Sequence, residues 1–291
     1  MAKTRELKRR IKAVANTKRI TKTMQMIATA KFAQSQQRAT AGKPYTEALF
    51  DLVGQLRDAA GEVDHPLLKP GNAKAPALTL VITSDRGLCG PYNSAVLRTF
   101  AAHLKQTPGA KGGRVELVGK KGLAWLKFNK IDAAVHHTHF GDKPSFETVQ
   151  TLANEYIRMY AAGEVSSVTV VYMKFVSAGK QMPTVAKLLP FDAESGKASS
   201  KAAGPAQIYE FSPGAAELLG DLLPAAVRAV LFQFFNDAIV SEHIARMVAM
   251  KSATDAAGKM GKAYSRKFNR ARQAQITTEL MEVISGAAAL K

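Results

Sequence analysis

Acidic residues are scarce at the start of this 291-residue chain: residues 1–43 hold twelve lysines and arginines against one carboxylate, Glu6. Neither glycine nor proline occurs from Lys3 to Ala41 or from Ala225 to Ala257, and after Gly258 and Gly261 the run resumes from Lys262 to Ser285. In a helix interior these two residues are less favourable than Ala by about 1 and about 3 kcal/mol. Stretches without them, rich in Ala, Lys, Arg, Gln, Met and Leu, predict long helices at both chain ends. At 1.5 Å per residue such helices would run roughly 60–80 Å and roughly 100 Å, too long to fold away inside a domain of this size. A projecting helical shaft is expected. Cysteine is nearly missing as well. Cys89 alone excludes an intramolecular disulfide and fits a reducing compartment. No run reaches 18 apolar residues; Leu218 to Val240 comes nearest and is interrupted by Asp221, Pro224, Arg228, Asn236 and Asp237, so no membrane span is expected. The basic first 30 residues superficially resemble a transit peptide, but an apolar signal core and a small-residue cleavage pattern are lacking, so no removed presequence is expected.

The net charge of +18 is concentrated in the first helix, which therefore seeks an acidic partner: nucleic acid, anionic lipid or acidic protein surface. Leu7, Ile11 and Val14 form one apolar stripe, and Ile20, Met24 and Ile27 a second. Spacings of four and three belong to a helix packed on one partner helix. With Phe32 the sole aromatic of the first 40 residues, neither a membrane-surface helix nor a nucleic-acid reading motif is supported. The helix is expected to continue past Pro44 to about Ala60, and residues 61–76 read as a linker.

Between the helices the pattern changes. Strands are predicted at Ala77–Thr83, Arg114–Val118, Val168–Val176 and Val185–Phe191, and helices at 92–106, shortly after Gly122, and at 144–161. Their alternation predicts a small α/β domain with crossover connections over 77–191. Residues 192–211 read as a loop, with 192–206 rich in Ala, Ser, Gly and Lys. The last helix, 212–291, is expected to open at Ser212-Pro213, to pack through Leu219, Leu223, Val227, Val230, Phe234 and Ile239, and to kink or restart at Pro224. Beyond that its stripe turns small, through Ala245, Ala249, Ala253, Ala256 and Ala257.

No catalytic constellation is visible. Gly87 and Gly90, in the turn after the first strand, match no phosphate-binding pattern, and Pro91 removes a donor where an anion would sit. His136, His137 and His139 lack accompanying metal ligands and read as a solvated histidine run. Cys89 has no placed base and reads as a small apolar residue under its loop. No metal, no cofactor and no enzymatic activity are expected of the chain itself.

Four blocks carry a resemblance. Ile276-Thr277-Thr278-Glu279-Leu280-Met281-Glu282-Val283-Ile284-Ser285-Gly286-Ala287 closes the chain, and Ser241 to Asp255 reads SEHIARMVAMKSATD. Arg10 to Ala28 reads RIKAVANTKRITKTMQMIA, and Ser84 to Gly90 reads SDRGLCG. In this order they resemble the γ subunits of rotary F-type ATP synthases over the whole chain. The resemblance implies a long antiparallel coiled coil of the N- and C-terminal helices with an inserted Rossmann-like α/β domain. It implies a rotor shaft inside an α3β3 ring, beside an ε subunit and a membrane c-ring. One copy per complex follows, peripheral to the cytoplasmic side of a bacterial inner membrane, with no nucleic acid bound. By the same carry-over Lys22 and Met24 face lever loops of β. Arg246, Arg272, Gln273, Thr277 and Glu279 make polar contacts with the ring, and Ala271, Ala274, Ala287 and Ala288 suit a slipping bearing. Two departures stand out. The cysteine pair of chloroplast relatives is missing, and Pro91 stands where small residues are common. The rival from another class is a basic helical hairpin that binds nucleic acid, marked by a steep salt dependence.

Overall fold

The computed structural model describes residues 2–60, 65–107, 109–192 and 214–289. The elements run α1 (Ala2–Ala60), β1 (Leu78–Ile82), α2 (Tyr92–Gln106), β2 (Arg114–Val118), α3 (Lys121–Phe128), β3 (Val135–His137), α4 (Phe146–Ala161), β4 (Val168–Ser177), β5 (Lys180–Leu189) and α5 (Ala215–Ala289). Contacts divide the chain into two units, residues 1–30 with 246–291, and residues 31–245.

The larger unit is built on one sheet in the order β3-β2-β1-β4-β5. β1 lies parallel to β2 and β4, β2 parallel to β3, and β5 closes the far edge antiparallel to β4. β1 is buried at every residue, as a central parallel strand covered on both faces must be. Its alternate side chains enter two cores. Leu78, Leu80 and Ile82 meet Val149 and Tyr156 of α4, Val53 and Leu56 of α1, and the α5 stripe Leu219, Leu223, Val227, Leu231 and Phe235. Val81 on the opposite face meets Val96 and Phe100 of α2 and Leu126 of α3. The crossovers through α2 and α3 therefore share one face, and the crossover through α4 returns over the other. α4 starts where the Ser145 side chain accepts the Thr148 N–H at 3.1 Å.

Several expectations are corrected. β5 begins at Lys180, five residues earlier than predicted, because pairing with β4 extends it. Pro224 does not restart the last helix, which runs through it as one element. α5 also contains a window of mean hydropathy 1.5, long and apolar enough by those criteria to cross a membrane. Its apolar residues Leu219 to Phe235 are core residues of the larger unit, which accounts for that hydropathy. The opening expected at Ser212-Pro213 and the loop over 192–206, apart from Asp192, lie outside the described residues.

Of the three histidines read as a solvated run, His139 is exposed, but His136 and His137 are half-buried and bonded. His136 Nε2 lies 3.0 Å from the Gly119 carbonyl, and His137 Nε2 lies 2.9 Å from Glu116 Oε2. Glu116, on β2, also accepts from Arg114 Nε at 2.9 Å and from the Tyr156 hydroxyl at 2.8 Å. Burial pushes this carboxyl up, but hydrogen bonds from His137, Tyr156 and Arg114 outweigh it and hold the group below its ordinary value. One buried carboxylate thus ties β2 to β3 and α4.

Two outcomes test this packing. Gly119 has φ +86°, and a Cβ there would sit 2.2 Å from the Thr83 carbonyl oxygen. Gly119→Ala is expected to lower stability by about 2–4 kcal/mol, read as a fall in thermal midpoint. Asp237 of α5 is buried, and burial raises its carboxyl to about 6 against opposing help from Gln233, Lys43, Lys174 and the Phe175 N–H. Its ionised form therefore weakens the fold near neutral pH, and protonation relieves this as pH falls through about 6. Asp237→Asn should stabilise the chain near neutrality by up to about 3 kcal/mol and remove that part of the pH slope. Parallel melting-versus-pH curves for the two proteins would refute this.

Candidate functional site

The smaller unit is an antiparallel pair of helical segments. Going up α1, Thr4 Oγ1 meets Gln275 Oε1 at 3.1 Å, the Arg10 guanidinium lies 6.0 Å from the Tyr264 ring centre, and Thr21 Oγ1 lies 2.8 Å from Thr254 Oγ1. The less exposed positions of α1 are Thr4, Leu7, Ile11, Val14, Thr21, Gln25 and Ala28, a repeat of three and four. The first predicted stripe lies on this seam. The second is shifted: Ile20 and Ile27 are more than half exposed, with only Met24 half-buried, and Thr21 and Ala28 take the seam. On α5 the seam is Met250, Thr254 and Ala257, followed by Gly258 and Gly261, while Ala256 points outward. Small and hydroxyl-bearing residues let the axes approach, and the Thr21–Thr254 pair keeps the buried hydroxyls satisfied.

The sequence concentrates the positive field in α1. Pairing changes that assignment, because segment 246–291 carries nine lysines and arginines against Asp255, Glu279 and Glu282, and segment 1–30 carries nine against Glu6. Both helices of this unit are basic. The signal was present in Lys251, Lys259, Lys262, Arg266, Lys267 and Arg270, but acidic residues elsewhere in the last helix hid it in a segment sum.

All seven residues singled out by resemblance fall in this unit. Lys22 is exposed beside half-buried Met24, and Arg246 is half-buried at the unit's first α5 residue. Arg272, Gln273, Thr277 and Glu279 are exposed; the Thr277 hydroxyl donates to the Gln273 carbonyl at 3.0 Å, and Glu279 accepts from Gln275 Nε2 at 2.8 Å. The unit does not gather them into one cluster. Lys22 lies level with residues near Ala253, so the Arg272 group is about 30 Å further along the coil. Around them sits uncovered apolar surface: Ile20, Met26 and Ile27 near Lys22, and Ile276, Leu280, Met281, Val283 and Ile284 near the end, each more than half exposed. Apolar surface of this extent, interleaved with charge, marks a protein-binding face rather than a reaction centre.

Within the larger unit an open hollow of about 350 Å³ is lined by His137, His139, Glu147, Thr148 and Glu155. Among the described residues no group of three His, Cys, Asp or Glu side chains could hold a metal ion. Cys89 is buried, and its sulfur is 3.2 Å from Asn93 Nδ2 and 3.6 Å from Ser84 Oγ, a polar role beyond that of an apolar filler. The cavity lined by Thr83, Asp85, His137, Asp142 and Glu242 holds about 20 Å³, room for one water and far below a nucleotide.

A family model described as ATP synthase matches residues 3–290, and the ATP synthase gamma chain of Rhodopirellula baltica is 40% identical over the full length of both chains. The chain belongs to the ATP synthase gamma chain family. The gamma chain of Leptospira biflexa is 36% identical, again over the whole of both, and that of Verminephrobacter eiseniae 39% over 99% of each. A chain of the Euglena gracilis mitochondrial ATP synthase structure containing OSCP, F1 and the c-ring matches with a TM-score of 0.69 at 20% identity, covering 99% of this chain and 95% of that one. A chain of the same organism's ATP synthase rotor matches with a TM-score of 0.65 at 19% identity, over 94% and 99%. These chains share the fold: two long terminal helices with an α/β domain inserted between them in sequence.

The two seam glycines of this gamma chain are testable. A Cβ on Gly258 would meet Lys18 Nζ at 3.7 Å, and one on Gly261 would meet Val14 Cγ1 at 3.8 Å, both ordinary contacts. Gly258→Ala and Gly261→Ala should each stabilise the helix by about 1 kcal/mol. Thermal unfolding should show raised midpoints; lowered ones would mean that the helices approach more closely in solution.

Proposed function

We infer that this chain is the central shaft of an F1 ATP synthase, turning within a ring of α and β subunits. It couples ion flow through the membrane sector to ATP synthesis or hydrolysis on β. It is a non-catalytic subunit, and the chemistry belongs to the ring. The observation that carries this function is the coil: basic on both helices, with apolar residues uncovered near Lys22 and over 276–284, in a chain that the ATP synthase family model matches over residues 3–290. Basic faces suit acidic loops on β, where charged contacts steer association and re-form as the shaft turns. Lys22 and Met24 are the contacts to β lever loops, and Arg246, Arg272, Gln273, Thr277 and Glu279 the polar contacts to the ring. The ε subunit and the c-ring bind the α/β domain, and one copy serves three β subunits. The complex sits on the cytoplasmic side of a bacterial inner membrane.

Reconstitution with α and β subunits tests it. The expected product is a complex with one copy of this chain per three β, active in ATP hydrolysis. Deleting the residues after Arg270 should leave the larger unit's melting unchanged yet lower activity by roughly tenfold, the scale of losing central interface contacts. No complex, with salt-sensitive binding to DNA or RNA instead, would overturn the function.

A further inference from the structure

The short helix α3 sends Leu126 into the core, with Leu123 and Trp125 packed half-buried against it. Its last residue, Phe128, is left out. That ring is 85% exposed, the most exposed large apolar side chain among the described residues. The chain then turns through Asn129 and Lys130. The Lys130 N–H donates to the Lys127 carbonyl at 3.1 Å and the Ile131 N–H to the Leu126 carbonyl at 3.0 Å, the two bonds that close a helix through a left-handed residue. That residue is Lys130, with φ +54°, where glycine is the usual and less strained choice. Two nearby positions thus carry residues that local folding disfavours, and an outlier of this kind points to use of the surface.

Positive charge surrounds this corner. Because β1, β2 and β3 are parallel, the crossovers through α2 and α3 run back and end at the edge where the strands begin. There the Arg114 N–H donates to the Ala77 carbonyl and the Ala134 N–H to the Val115 carbonyl, each at 2.8 Å, which holds the loops before β2 and β3 side by side. This edge brings together Lys105 from α2, Lys111 from the loop before β2, and Lys127 and Lys130 on either side of Phe128, all exposed, against Asp132. None of the four lysines makes an ion pair with a described residue.

We propose that this corner of the α/β domain docks on a membrane surface of anionic lipid, with Phe128 entering the headgroup layer and the lysines meeting lipid phosphates. Charge complementarity selects the class of partner, since clustered lysines are drawn to a negatively charged leaflet. One protruding aromatic ringed by lysines fits a deformable headgroup layer, where aromatic rings are at home. A protein partner calls instead for a contiguous apolar face. The docking goes beyond the shaft function and does not depend on it.

The basic coil also attracts anionic vesicles, so the test needs a local reporter. Trp125, the chain's single tryptophan, lies one turn before Phe128 with its ring 6.1 Å from that of Phe100, and it reports on this corner. The full chain is titrated with vesicles of brominated phosphatidylglycerol and phosphatidylcholine, and quenching of tryptophan fluorescence is read. Quenching is expected on the anionic mixture and none on brominated phosphatidylcholine alone. Lys127→Gln and Lys130→Gly should each raise the lipid needed for half-quenching by about fivefold, the usual share of one lysine near such a surface. Glycine suits the left-handed turn, so a loss in Lys130→Gly is not a loss of fold. Phe128→Ser should abolish quenching with unchanged melting, since so exposed a ring adds little to the core. An unquenched wild-type chain, or equal quenching in Phe128→Ser, would overturn the docking. Phe128-dependent binding to an isolated c-ring or to α and β subunits, without quenching by lipid, would overturn it in favour of a protein partner.

Discussion

A narrow stripe on a helix buries little unless a second helix covers it, and here the cover comes from the other end of the chain. Thr21 and Thr254, separated by 233 positions, meet across a seam that holds Leu7, Ile11 and Val14 at one end of α1 and hydroxyls and alanine around Thr21 and Ala28. Everything else follows from that pairing. Around Thr21 and Ala28 the seam takes small residues and leaves Ile20, Met26 and Ile27 outside, while Leu280 to Ile284 lie past the start of α1, which meets α5 no further than about Gln275 through Thr4. Lysines and arginines fill the remaining surface of both partners. A coil of this kind is stable through many modest contacts and presents nearly all its chemistry outward.

The α/β unit solves the complementary problem of holding those helices at their other ends. A buried parallel strand, β1, sends alternate residues into two cores, and one of them is completed by α1 and α5. Polar groups placed inside are mostly satisfied rather than reactive, the buried Asn236 Nδ2 being an exception among the described residues. Glu116 collects three donors, Cys89 sits against Asn93 and Ser84, and the cavity nearby holds no more than a water. A Rossmann-like sheet without a phosphate cradle serves here as a mount. The cost of that mount is visible in Asp237, a carboxyl raised to about 6 by burial and so ionised at a cost near neutral pH.

Function in such a molecule is distributed along surfaces rather than focused in a pocket. The residues that resemblance assigns to coupling occupy two levels of the coil about 30 Å apart, as suits contacts made with a surrounding ring. No steric clash requires glycine at Gly258 or Gly261, between those levels, so each only lowers helix propensity there.

The sequence by itself determined the class of each segment. Missing glycine and proline specified the helices, apolar runs specified β1, β2 and β4, and four motif blocks specified the family. Those signals are local, set by backbone propensity and periodicity within a turn or a strand. Which face of a helix is inside is not local, and there the sequence misled. Ile20 and Ile27 outrank Thr21 and Ala28 in hydrophobicity, yet the small pair faces the seam, because close approach of two backbones excludes large side chains. His137 went from a solvated run to an inner network because Glu116, twenty-one residues away, becomes its neighbour only when β2 and β3 pair, while His139 stays exposed. Tertiary structure alone decided that Lys31 and Asp142 meet, since 111 positions separate them and no spacing rule spans that distance.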